Sequence, residues 1–160
     1  MPITQFEDPT YLEAVYAALF YLLEQAKFAG NVKFQTSQRV VVVPDQIAPA
    51  DQPTLVMVQG PLRAEQKEVF GPTKWTLTAM AVIYLQADPS QNPNPLPATL
   101  TNYLVWGIQT VLGLTAPPYS KQTLGGLVCH CWIEGEVLTE VAEQQVVVTI
   151  PIFILAGPVG

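Results

Sequence analysis

The sequence predicts an α+β domain: a mainly antiparallel, or mixed, sheet of about five strands with two helices on one face. The predicted element order is α-β-β-β-α-β-β, and three observations carry it. Lys74 to Gln86, KWTLTAMAVIYLQ, alternates strictly. Trp75, Leu77, Ala79, Ala81, Ile83 and Leu85 form one wholly apolar face, and Thr76, Thr78, Met80, Val82 and Tyr84 form a mixed one. Two other stretches repeat apolar residues at helical spacing. Two further β-rich runs close the chain.

In order, Thr10-Tyr11-Leu12-Glu13 has the form of a capping box. The helix that follows is predicted to run to about Phe28, with Gly30 past its end. Leu12, Val15, Tyr16, Leu19, Leu22, Leu23 and Ala26 make its buried stripe. Phe34 to Val43 reads as a strand ending at Pro44-Asp45, and a Pro-rich connection leads to a short strand, Thr54 to Gln59. Gly60 to Pro72 gathers Arg63, Glu65, Lys67 and Glu68 between two Gly-Pro pairs. It reads as a charged loop or hairpin arm projecting at about 60–73, with the solvated-loop reading equally open. The long strand comes next, making the outgoing half of that hairpin.

The Pro-rich stretch ADPSQNPNPLP then breaks regular structure. A second helix is predicted from about Ala98 to Leu112, with Leu100, Tyr103, Leu104, Gly107, Ile108, Val111 and Leu112 as its stripe. No charged residue lies between Asp88 and Lys121. That fits either a core helix with Thr, Asn and Gln outward or a helix facing a neighbouring subunit. Gly126 to Val137 and Gln145 to Leu155 are the closing strands, with Glu140, Glu143, Gln144 and Gln145 in the turn between them. Pro151 predicts that the last strand is an edge or carries a bulge.

Composition bounds the function. The chain has 160 residues, which makes a single domain over 1–160 with a sizeable core. A net charge of −6 argues against nucleic-acid binding as the main role. Only 12% of residues are charged, about half the usual share. A surface so poor in charge predicts burial against other chains in an oligomer. The longest apolar run, Ala14 to Leu23, is shorter than the roughly 20 residues a membrane span needs, and no signal peptide is visible. Cys129 and Cys131 share a strand face and are badly placed to join each other, which fits folding in a reducing compartment.

The catalytic inventory is thin. His130 is the single histidine, and on a strand it points away from Cys129 and Cys131, so the three cannot converge on a metal ion. Glu134 and Glu136 share a face and read more simply as a solvated strand end than as an acid–base pair. No serine lies in G-x-S-x-G, and no G-x-G-x-x-G or P-loop is present. A non-enzyme without cofactor or metal is expected.

One resemblance covers nearly the whole chain. A helix leads to SQRVVVV; PTLVMVQG is followed by a charged loop and GPTKWTLTAMAVIYL; then come a Pro-rich gap, an uncharged helix, LGGLVCHCWIEGEV and IPIFIL. This pattern of strands and Pro/Gly corners resembles the tail terminator or tail completion proteins of long-tailed bacteriophages, the minor tail protein U-like group. The resemblance implies a non-enzymatic α+β protein of the virion, assembled in the host bacterial cytoplasm. Such proteins form a homo-oligomeric ring, typically a hexamer, on the head-proximal end of the tail tube. The ring ends tube polymerisation and offers a docking surface for head–tail joining. The implied partners are further copies of the chain, the major tail tube protein and a head completion or connector protein. Nucleic acid and membrane are not among them.

Carried onto this sequence, the arm residues Arg63, Glu65, Lys67 and Glu68, with Lys74 at its return, would face adjacent ring or tube subunits. Tyr103 and Trp106 on the uncharged helix would serve subunit contacts if they are not core. Two other readings compete: a head-completion or connector protein of the same neck region, and a small-molecule-binding or hydrolytic α+β domain.

Overall fold

A computed structural model of the chain describes residues 10–28, 32–39, 53–66, 68–69, 74–86, 97–113, 121–142 and 145–156. The Pro-rich connections, Gly30, Val40 to Val43 and Lys67 lie outside the described residues. The elements in chain order are α1 (Tyr11–Leu23), β1 (Lys27–Phe28), β2 (Val32–Lys33), β3 (Thr36–Gln38), β4 (Thr54–Glu65), β5 (Lys74–Gln86), α2 (Pro97–Val111), β6 (His130–Ile133), β7 (Leu138–Ala142) and β8 (Gln145–Ala156). The main sheet runs β3-β4-β5-β8-β6, with β7 also paired to β8; β1 and β2 form a separate two-stranded ribbon. All pairs are antiparallel except β3 with β4, so the sheet is mixed.

The long strand has the predicted bounds and faces. Leu77, Ala79, Ala81, Ile83 and Leu85 of β5 are buried. They stand directly opposite Ile154, Ile152, Ile150, Val148 and Val146 of β8, which are buried too. Leu55 and Met57 of β4 continue this face on the other side. Val15, Tyr16, Leu19 and Leu23 of α1 and Leu104 and Ile108 of α2 join the same apolar cluster, so both helices cover one face of the sheet. Burial of this apolar surface is the main stabilising term of the fold. Gly107 lets α2 come close: a Cβ there would lie 2.7 Å from the Lys27 carbonyl oxygen.

Several boundaries differ from expectation. Thr10 is the N-cap of α1 but makes no side-chain cap bond. Glu13, the other half of the expected capping box, is ion-paired with Arg39 instead, and that interaction holds its carboxyl below the usual range. α1 ends at Leu23 rather than near Phe28, because Lys27 and Phe28 pair with Lys33 and Val32. Of the strand expected over Phe34 to Val43, the described residues show Thr36–Gln38, and its end from Val40 to Val43 lies outside them. β4 does not stop at Gln59; it continues through a bulge to Glu65.

At the other end of the chain, the strand expected over Gly126 to Val137 is only four residues long. A turn at Leu124 to Leu127 precedes it, with Leu124, Gly125 and Gly126 all at positive φ. The expected turn around Glu140 is a strand, β7, hairpinned onto β8. β8 is no edge: β5 lies on one side and β6 and β7 on the other. Pro151 is tolerated because it falls between the rows used by β6, which ends opposite Ile152, and β7, which starts opposite Thr149. Its carbonyl faces that gap and accepts the Glu134 N–H at 3.3 Å, so the missing Pro N–H interrupts no ladder.

Candidate functional site

Of the charged residues singled out from sequence, Arg63, Glu65 and Lys74 sit on the arm, the far end of the β4–β5 hairpin, and Glu68 lies exposed beyond β4. Arg63 stands opposite Thr76, Ala64 opposite Trp75, and Glu65 opposite Lys74. Among the described residues β8 reaches as far as Trp75, where Ala156 is its partner, and none stands opposite the Glu65–Lys74 row on that side. On the other side of β4, the described residues of β3 pair with Thr54, Leu55 and Val56. Directly opposed residues point the same way. Arg63, Glu65, Thr76 and Lys74 therefore share the face turned away from the helices, while Leu62, Ala64 and Trp75 share the helix-side face. Pro61 to Gln66 are all exposed, as are Glu68 and Val69. Leu62 is 40% exposed although it faces the helix side, which shows that the helix layer does not cover the arm.

The root of the arm is built from residues that sequence reading did not single out. The register shifts between Gln59 and Leu62, leaving Thr78 of β5 opposite the extra residues Gly60 and Pro61. The Thr78 hydroxyl donates to the Pro61 carbonyl at 3.0 Å, and the Thr78 carbonyl accepts the Tyr16 hydroxyl at 3.0 Å. Burial pushes the Tyr16 phenol up to about 12, so it stays a donor throughout the neutral range. A Cβ on Gly60 would lie 2.3 Å from the Thr78 hydroxyl oxygen, so this close crossing requires glycine. A bulge adds local twist and re-aims the strand beyond it. The available signal was Gly60-Pro61 inside an otherwise continuous strand pattern, TLVMVQGPLRAE, where both residue types mark a bulge.

The second candidate surface is on α2, which packs against β1, α1, β7 and β8. Leu104, Gly107, Ile108 and Leu112 are its buried line. Tyr103, expected on that line, is 44% exposed, and Trp106 is 62% exposed. The helix therefore has a core face and an outward aromatic face, and the structure does not join that face to the arm.

On the sheet face away from the helices, His130, Trp132 and Phe153 form an aromatic row. The His130 and Trp132 ring centres are 4.7 Å apart and nearly parallel, and those of Trp132 and Phe153 are 4.9 Å apart. The His130 Nδ1 accepts the Gln122 backbone N–H at 3.0 Å, which puts the ring proton on Nε2. Burial, then the nearby Lys121 charge, hold its pKa below the ordinary histidine range. Cys131 points the opposite way into the core, where burial pushes its thiol up to about 12. Glu134 and Glu136 lie in the exposed turn after β6 rather than on a strand.

Among the described residues no three or more His, Cys, Asp or Glu side chains gather as a metal site. None of the described helices is long and apolar enough to cross a membrane. No protein-family model and no curated protein matches this chain.

Proposed function

We propose that this chain is a structural assembly protein of a long-tailed phage virion, a tail terminator. As a ring it occupies the head-proximal end of the tail tube, stops tube growth and presents the surface for head–tail joining. The observation that carries this reading is the arm. It is the bulge-aimed far end of the β4–β5 hairpin, with every described residue from Pro61 to Gln66 exposed and with charges of both signs on one face. Paired charges on an exposed hairpin end set register and partner choice more than raw affinity. The uncharged α2, with Tyr103 and Trp106 outward, supplies the aromatic surface that subunit contacts favour. The likeness in chain pattern to tail terminator proteins points the same way.

The mechanism is steric. A ring seated on the last tube layer exposes no surface that another tube subunit can use. The test is to add the purified chain to polymerising tail tube protein and measure tube lengths by electron microscopy. Sub-stoichiometric chain should shorten and cap the tubes, and Arg63→Glu combined with Lys67→Glu should lose that effect while keeping a native circular dichroism spectrum. Tubes of unchanged length with the native chain, or cross-links to the portal side and none to the tube, would remove the terminator reading. Unchanged capping by the double variant would take the arm out of the interface.

A further inference from the structure

We infer that the arm binds the same arm of a second copy, by two-fold antiparallel strand addition centred on Ala64. This builds on the reading of the arm as an assembly surface and names its occupant. Beyond Val56, no described strand lies on the outer edge of β4, whose sequence from there to the hairpin tip is MVQGPLRAEQ. An open edge of backbone N–H and C=O groups is a template for another strand. The bulge at Gly60-Pro61 limits the usable length, since Pro61 has no N–H and the ladder is broken there. What remains is the segment Leu62 to Gln66.

That segment is complementary to itself. In an antiparallel pair centred on Ala64, Arg63 of each copy stands directly opposite Glu65 of the other, and Leu62 opposite Gln66. Each Glu65 already stands opposite Lys74 in its own hairpin. The four-stranded row on the outward face would then read Lys74, Glu65, Arg63 of the second copy, Thr76 of the second copy, with its two-fold mate beside it. Opposite charges meet at each junction from Lys74 to Arg63, whereas a parallel pairing in register would set Arg63 on Arg63 and Glu65 on Glu65. On the helix-side face the small Ala64 pair lies between the two Trp75 rings, so no bulky side chain stands at the two-fold axis. Among the described residues the one ion pair is Arg39 with Glu13, so neither Arg63 nor Glu65 is committed to a salt bridge with another described residue. Such a contact joins copies in pairs and is separate from the head-to-tail contacts that close a ring.

The experiment is sedimentation velocity over a concentration series, with circular dichroism on every variant. The variants are Arg63→Glu, and Glu65→Arg made together with Lys74→Glu so that the pair inside each arm keeps opposite signs. The native particle, whether a single chain or a ring, should double in mass as concentration rises. Each variant alone should pair about tenfold more weakly, because like charges then meet twice across the axis. An equimolar mixture of the two should recover pairing, since the two acidic side chains on one variant's arm then meet the two basic side chains on the other's. Native-like pairing by Arg63→Glu alone, no recovery in the mixture, or no concentration-dependent pairing of the native chain would each overturn the inference. If both variants still pair like the native chain while the ring forms, the inference falls and the tail-terminator reading stands, because ring closure uses other contacts.

Discussion

The two ends of β5 occupy different surroundings. From Leu77 to Leu85 the strand lies between β4 and β8 with its apolar face buried under two helices. From Lys74 to Thr76 it runs beside the exposed end of β4, still paired to β8 at Trp75 and Thr76, with Lys74 exposed and Trp75 and Thr76 only half-buried. The same strand thus carries the stability of the domain at one end and the exposed charged end of the β4–β5 hairpin at the other. The bulge opposite Thr78 is the joint between them. What differs is the cost of a substitution: the inner end is set by packing, and the outer end is free to be selected for contacts with other chains.

That contrast can be broken first at the inner end. Ile83→Ala removes a fully buried side chain between β4 and β8. It should cost about 2–5 kcal/mol in urea denaturation. A loss near zero would show that the apolar face of β5 is not the core. At the joint, Tyr16→Phe deletes the hydroxyl that satisfies the Thr78 carbonyl. A destabilisation of about 1–2 kcal/mol is expected by thermal melting, with faster amide exchange around Thr78 as the mark of a loosened root.

A third, smaller effect depends on pH. The lowered pKa of His130 means that the unfolded chain takes up its proton more readily than the folded one. Its contribution is therefore complete above the unfolded value, near pH 6.5, and is lost as pH falls through the lower folded value. Protonation would also set a ring N–H against the Gln122 N–H. His130→Asn should flatten the melting-temperature profile between about pH 7 and 5, and a profile as steep as the native one would assign that acid sensitivity elsewhere. Smallest of all on stability, charge reversals at Arg63 and Glu65 should stay within about 0.5 kcal/mol of the native chain. Their effect belongs in association assays, and a large loss of stability would move the arm into the fold.

β5 was legible to the residue because its alternation continues unbroken from Lys74 to Gln86 and one face is wholly apolar. The helix stripes were legible for the same reason: Val15, Tyr16 and Leu19, and Leu104 and Ile108, recur at helical spacing and are buried. Other features depended on tertiary partners that no local pattern reveals. Leu138 to Ala142, with Glu140 at its centre, reads as a turn until β8 is beside it. Pro151 reads as an edge until the gap between β6 and β7 is seen. Gly60-Pro61 reads as a strand end until Thr78 lies across from it. At the candidate site, the charges of the arm stood out against a chain nearly free of charge, whereas Tyr16 and Thr78 at its root look like ordinary core and strand residues.

The central claim is that this chain works by assembling. Size-exclusion chromatography with light scattering tests it most directly, on the native chain alone and with tail tube protein. A discrete multi-subunit particle is expected in at least one of these conditions, whereas a strictly monomeric chain in both would contradict assembly as its mode of action.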